Sequence, residues 1–387
     1  MKLNVGVIFG GSNLEHEKGI ITATSVMNNL NTDKYNIIPI YIDKHNVWYT
    51  GYHLKDIINF RDIALCKRYA KKVNLVPSGK NFILQTTNLF KRNVSYVDLV
   101  IPSGVGKYIN DGSLEGYLDI IGIPYTGCKV LASAVSKDKV IIKDLVRANN
   151  IPVCSYVWFY KDEFLNSKKK ILEKVKSLKY PLYVKPANLG SSIGIHLVNN
   201  EEEFIKAVKN IIKYDEKVIA EEKIKNLKEV QVSVMGDNKS CEVTDIYEYV
   251  GKDDDNTKAD EVLNKEYENY FKINVKTNIT KPLLSKEMKD DIKTYAKDLF
   301  RLINAKGIIE IDFLIDENNM KLYFSKISTL PYHMASHIWK KNKVSESELL
   351  ENMINIAINE RNRNREFITH IDKNLLEGWD LKANKMK

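Results

Sequence analysis

The run Val5-Gly6-Val7-Ile8-Phe9 stops at Gly10-Gly11, and a helix-like stretch over residues 20–30 follows. A short apolar strand that turns through paired glycines into a helix is a building unit of α/β folds, because glycine enters such a turn without steric cost. Further buried strands are expected at residues 35–41 (YNIIPIY) and 97–101 (VDLVI). Strands alternating with helices predict a parallel sheet covered on both faces. Residues 61–91 are basic and lack this pattern, and they are expected to be irregular surface elaboration.

The chain has 387 residues, of which 44% are hydrophobic, which excludes a disordered polymer and allows two or three packed domains. Lys and Arg number 59 against 50 Asp and Glu, a net +9 that is read as spread along the chain. The lysine-rich stretches 167–170 and 340–343 are short and carry no interleaved aromatics, so solvated surface is expected rather than a nucleic-acid partner. Cys66, Cys128, Cys154 and Cys241 are far apart, which predicts neither a zinc site nor a disulfide framework. No apolar run approaches the length of a membrane span and no secretory pattern follows the first strand, so a cytoplasmic protein without a membrane partner is expected.

Three regions and a tail are expected: 1–130, 131–215, 216–370 and a polar, poorly ordered 371–387. The second region opens with one helix over 132–149, ended by Asn149-Asn150-Ile151-Pro152. Strands at 156–159 and 182–185 follow, another starts at 197, and a helix covers 201–212. The third region holds strands at 218–221 and 230–235, a polar loop at 252–264, a helix at 286–303, a hairpin of 308–315 with 322–327, and a last helix near 346–361.

The ordinary phosphate-binding fingerprints, a Walker A loop and a GxGxxG in context, are missing. A different small-residue stretch is present, Lys185-Pro-Ala-Asn-Leu-Gly190-Ser191-Ser192-Ile-Gly194, in which a strand-ending lysine meets a loop whose N–H groups can surround anionic oxygens. Lys139 in Ser136-Lys-Asp-Lys139 adds a second positive charge. Together with Gly10-Gly11-Ser-Asn-Leu-Glu15-His16-Glu17, Asp111-Gly112-Ser-Leu-Glu-Gly116 and Gly122-Ile-Pro-Tyr-Thr-Gly127, this stretch resembles the D-alanine–D-alanine ligase family of ATP-grasp enzymes almost end to end.

The resemblance implies an α/β, three-domain ATP-grasp fold with an N-terminal, Rossmann-like parallel-sheet domain and ATP held between the second and third domains. It also implies a homodimer, and the joining of two D-alanines through an acyl phosphate. Carried over position by position, Lys139, Lys185, Ser192 and Lys252 contact the nucleotide, and Glu221 and Glu229 face its adenosine. One extra residue separates that glutamate pair, so Glu222 is an alternative to Glu221. Glu15 meets the first substrate's ammonium, Ser191 anchors the mobile loop, and Asp312 is a metal ligand.

The resemblance breaks at the acidic hairpin. The family keeps an Arg and an Asp two apart on one strand, then a Glu and an Asn two apart on the next, which the period of two brings to one face. Here those positions hold Glu310, Asp312, Lys326 and Ser328. A lysine in place of a carboxylate competes for Asp312, so Mg²⁺ binding is not expected; Lys326 either pairs with Glu310 or Asp312 or acts as a point charge on phosphates. Val105 and Asn110 stand at a substrate-side His and Glu, Tyr332 at an oxyanion glycine, and Asp253 at a loop tyrosine. His333 and His337 read as ordinary histidines, since no acidic or cysteine partner is in register. The expectation is a family member that binds ATP or a related ligand, with a D-amino acid or peptide fragment beside it, and that ligates weakly or not at all. An active ATP-dependent ligase of peptidoglycan precursors with altered metal use is the alternative.

Overall fold

Strand β1 (Leu3–Gly10) is buried from Val5 onward and runs parallel to β2 (Tyr35–Ile42) on one side and β7 (Leu99–Pro102) on the other in the computed structural model. The structure describes residues 2–190, 192–249, 279–368, 374, 379–380 and 385–386. At the end of β1 the chain turns where a side chain could not: Gly10 has φ 93°, and a Cβ there would lie 2.2 Å from the Ile42 carbonyl oxygen. The helix His16–Asn29 then packs back onto β1.

The expected parallel sheet is parallel only in those three strands. Residues 61–91, expected to be irregular, instead form a helix (Ile63–Tyr69) and most of an antiparallel meander. With β3 (Trp48–Thr50), β4 (Lys71–Ser78), β5 (Asn81–Thr86) and β6 (Asn93–Val97), the sheet runs in the order β6-β5-β4-β3-β2-β1-β7. The Gly79 turn links β4 to β5, and Val73, Leu75, Phe82 and Leu84 bury one face of the meander against the helix Ser113–Ile121.

The second sheet is antiparallel, ordered β10 (His196–Val198), β9 (Leu182–Pro186), β11 (Lys217–Glu222), β8 (Tyr156–Tyr160). Strand β11, expected in the third region, thus belongs here and carries this sheet past residue 215. The third sheet is ordered β15 (Ile279–Thr280), β14 (Tyr247–Tyr249), β12 (Leu227–Gly236), β16 (Gly307–Asp316), β17 (Lys321–Ser328), with β13 (Cys241–Val243) also on β12. In the tail, expected to be poorly ordered, Trp379–Asp380 pairs with Lys385–Met386.

The three units share their cores unevenly. The C-terminal helix Glu346–Asn364 inserts Leu349, Leu350, Met353 and Ile354 against Val5, Val7 and Phe9 of β1, joining the last region to the first. The helix Lys139–Ala148 packs Ile142 and Val146 against β12, β16 and β17. The central sheet has a core of its own, built around Phe159, Phe204 and Val218.

Candidate functional site

The helix expected over 132–149 is two helices, Val130–Lys137 and Lys139–Ala148, broken at Asp138. Asp138 Oδ1 accepts from the backbone N–H of Val140 (2.8 Å) and Ile141 (3.1 Å), and Oδ2 pairs with Lys217 Nζ at 2.8 Å. An aspartate that caps a new helix offers the backbone an alternative to continuing the old one. The break puts Lys139 at the first position of the second helix, facing the end of β9.

Lys139 Nζ donates to the carbonyl oxygens of Pro186 (3.0 Å), Ala187 (3.3 Å) and Leu189 (2.5 Å). Burial, then the neighbouring ammoniums of Lys137 and Lys185, push its pKa down to about 7. One turn further, Lys143 reaches the same region. Glu221 on β11 accepts both of its neighbours, Lys143 Nζ at 2.8 Å and Lys185 Nζ at 2.6 Å. Burial alone would raise the Glu221 carboxyl, but the two lysines hold it far below the usual carboxylate range. Burial likewise opposes the Lys185 ammonium, and Glu221 more than offsets this and raises it. The expected adenosine-facing role of Glu221 therefore meets a carboxylate already engaged by two cations. Alternation turns Glu222 the other way, where it accepts from the Lys179 N–H at 2.9 Å.

Lys143 was not singled out in the sequence. Its signal is the four-residue spacing from Lys139, which stacks both lysines on one helix face. That spacing acquires meaning only once β11 lies opposite.

A cavity of about 290 Å³ opens beside this cluster, lined by Glu15, Lys18, Lys137, Lys139, Glu310 and Lys326 and by the end of β17. Glu15 is buried just ahead of the first helix, with Lys137 Nζ 3.8 Å from its carboxylate. The central loop passes so close that a Cβ on Gly190 would sit 2.9 Å from Glu15 Oε1, which brings the first region's carboxylate and the glycine-rich stretch together. Asn110 accepts from Lys137 Nζ at 3.1 Å and from the Gly106 N–H at 3.0 Å. His16, next to Glu15, is structural: Nδ1 donates to the Gly11 carbonyl (2.7 Å) and Nε2 accepts from Tyr41 Oη (3.0 Å), with burial lowering its pKa.

On the hairpin, register places Glu310 opposite Ser328 and Asp312 opposite Lys326. Of the two partners open to Lys326, the structure gives Asp312: Nζ lies 2.9 Å from Oδ2, with Asp312 1% exposed and the lysine side chain 55% exposed on the cavity. Asp312 and burial together raise and oppose the Lys326 pKa, and the net effect is a rise. Burial and then Asp312 push Glu310 up to about 8, and the same two causes raise Glu229. Glu310 Oε2 is buried with no hydrogen-bond partner. The ammonium of Lys326 on Asp312 occupies the carboxylate that a Mg²⁺ ion would need.

Ser192 is exposed with φ 57°, at the bend of the central loop. Ser191, Lys252 and Asp253 lie outside the described residues, as does the polar loop expected at 252–264. No helix among the described residues is long and apolar enough to cross a membrane.

Known proteins resemble this chain in sequence and fold. The family descriptions "D-ala D-ala ligase N-terminus" and "D-ala D-ala ligase C-terminus" match residues 4–128 and 145–355. The D-alanine–D-alanine ligase of Thermosipho melanesiensis is 36% identical over 97% of this chain and 98% of its own. Among solved structures, the D-alanine–D-alanine ligase from Coxiella burnetii superposes with a TM-score of 0.77 at 26% identity, covering 94% of this chain and 96% of its own. The Bacillus anthracis ligase, solved in complex with ATP, is alike in fold, with a TM-score of 0.65 at 21% identity over 94% of this chain and 99% of its own. The chain belongs to the D-alanine–D-alanine ligase family.

Proposed function

We propose that this family member binds a nucleotide against Lys139 and Lys185, with a small D-amino acid or peptide fragment in the adjoining cavity, and that D-alanyl-D-alanine ligation is weak or lost. The observation that carries the reading is Lys326, 2.9 Å from Asp312, where the resembling family keeps a metal-binding carboxylate. Developing charge on a transferring phosphoryl group needs compensation at close range. Here the buried aspartate is already neutralised by a side chain that cannot exchange its ligands as a metal does. Homodimerisation and a cytoplasmic location belong to the same proposal.

Phosphate release from ATP, measured with and without Mg²⁺ across a panel of D-amino acids, tests it. Release below the detection limit with every amino acid, alongside an ATP-induced rise in melting temperature, is the expected result. Magnesium-dependent release stimulated by any of them would sink the reading of a lost ligase. A rise that ATP fails to produce at millimolar concentration would remove the nucleotide site.

A second reading is an active ATP-dependent ligase of peptidoglycan precursors in which Lys326 serves as a cation on the phosphates. Its support is the 55% exposure of the Lys326 side chain on the cavity. The same assay separates the two.

The nucleotide site carries a pH signature in either case. Lys139 is pushed down to about 7 in the free protein, and a phosphate beside it favours the ammonium. Binding therefore draws a proton from solution, and affinity falls as pH rises from 7 to 9, by at most about tenfold per pH unit. Calorimetric titration in two buffers of different ionisation heat reads this directly. Equal heats in both at pH 8 would show that Lys139 gains no proton.

A further inference from the structure

The net charge of this chain is concentrated in one place, contrary to the even spread expected from the sequence. Between Ile63 and Val97 there are seven Lys and Arg and not one Asp or Glu, against a net +9 for all 387 residues. That segment is the antiparallel meander at one edge of the first sheet, with β6 outermost. Its β5–β6 loop presents Leu89 at 93% and Phe90 at 77% exposure, followed directly by Lys91 and Arg92. A concavity of about 700 Å³ beside the loop is lined by Lys71, Lys72, Arg92, Leu89, Phe90 and Val94, with no carboxylate among its lining residues.

We propose that this edge is a peripheral docking surface for an anionic phospholipid bilayer. Two large apolar side chains at a loop tip lose contact with water only if something covers them, and here they sit beside a concavity lined by cations. Cations ringing an apolar tip match the bilayer interface, where acyl boundary and anionic headgroup lie a few ångströms apart. Leu89 and Phe90 enter the headgroup boundary, and Lys71, Lys72 and Arg92 meet the phosphates. A nucleic acid would satisfy the charges and could stack on Phe90, but would leave Leu89, the more exposed of the two, in water. The absence of a spanning helix among the described residues is consistent with surface contact. The concavity and the cavity at Glu15 share no lining residue, so docking at the loop leaves that cavity open. This inference is independent of whether the protein ligates.

Co-sedimentation of the full chain with vesicles tests it, comparing phosphatidylcholine alone with phosphatidylcholine mixed with phosphatidylglycerol at low and high salt. Binding to the mixed vesicles only, weakened by salt, is expected. Leu89→Ser with Phe90→Ser should lower the partition on the order of tenfold or more. Lys71→Gln, Lys72→Gln and Arg92→Gln together should lower it on the order of a hundredfold, about fivefold per cation. All five side chains are on exposed or edge positions, and an unchanged melting temperature identifies variants that keep the fold. No binding to mixed vesicles, equal binding to neutral ones, or a tip variant that binds as well as the parent overturns the proposal. So does duplex DNA that displaces the vesicles while binding the tip variant as tightly as the parent, which would make the patch a nucleic-acid surface.

Discussion

Replacing Glu221 with alanine is expected to lower the unfolding free energy by about 3–5 kcal/mol, because two ammoniums lose their common counter-charge inside the protein. Lys143 and Lys185 lie 2.8 and 2.6 Å from its two oxygens, and neither has a second carboxylate among the described ion pairs. Glu221→Gln keeps the shape and loses the charge, so it should cost nearly as much. Lys143→Met combined with Glu221→Gln should recover part of the loss, since one stranded cation is removed. Urea unfolding at pH 7 measures all three. A loss below about 1 kcal/mol for Glu221→Ala would mean the cluster is solvated rather than packed.

The same carboxylate fixes how the protein answers to acid. Its folded pKa lies far below the unfolded value, so the folded state binds fewer protons in acid than the unfolded chain does. Its contribution is complete above the unfolded pKa of about 4.3 and is lost as pH falls through that value toward the folded one. Above pH 6 the contribution is flat. Acid unfolding of Glu221→Gln should accordingly begin from a lower stability and show a shallower dependence below pH 4.

Lys326→Glu is the second large effect. It sets a new carboxylate beside Asp312, Glu310 and Glu229, a group that already pushes the protons of Glu310 and Glu229 upward. Without divalent cations the variant should melt several degrees below the parent, and Mn²⁺ or Mg²⁺ should return most of that difference. The parent should show no such shift. Adding Glu310→Arg, Ser328→Asn and Tyr332→Gly rebuilds the set that the family resemblance prescribes. This quadruple variant should release phosphate from ATP at least ~10²-fold faster than the parent when D-alanine and Mg²⁺ are present. A parent already as fast as the quadruple variant would make Lys326 a working substitute for the metal.

The hairpin was legible in the sequence because period-two alternation survives substitution. Ile309, Ile311, Phe313 and Ile315 are all in the core, which fixes Glu310 and Asp312 on the opposite face regardless of what Lys326 does. The partner of Lys326 was not legible, since both carboxylates lie within reach of its stem and only the cross-strand register selects Asp312. The break at Asp138 was missed for a different reason. Apolar residues at 132, 135, 142 and 146 keep a helical spacing across the polar run Ser136–Lys139, so that run reads as one solvated turn, and a single capping side chain breaks the helix there. The meander is hard to read from sequence because its strands are short and rich in lysine and asparagine at their ends, and they read as loop until Gly79 is taken as a hairpin turn.

The uneven sharing of cores decides which part of this molecule can move. The first and third sheets are held in one frame by the helix Glu346–Asn364, reinforced where Glu360 takes up Lys129 and Lys306. The central sheet meets that frame through the small cluster of Val140, Ala187 and Ile219, through the ion pairs Lys143–Glu221 and Lys217–Asp138, and through the carbonyls that Lys139 grips. Swinging the central sheet outward would therefore carry Lys185 and Glu221 with it, break the Lys143–Glu221 and Lys217–Asp138 pairs and strip those carbonyls from Lys139, leaving on the frame ammoniums free to greet an incoming anion. In that sense Lys139 is a clasp: the bonds that hold it in the closed protein are the ones a guest must replace.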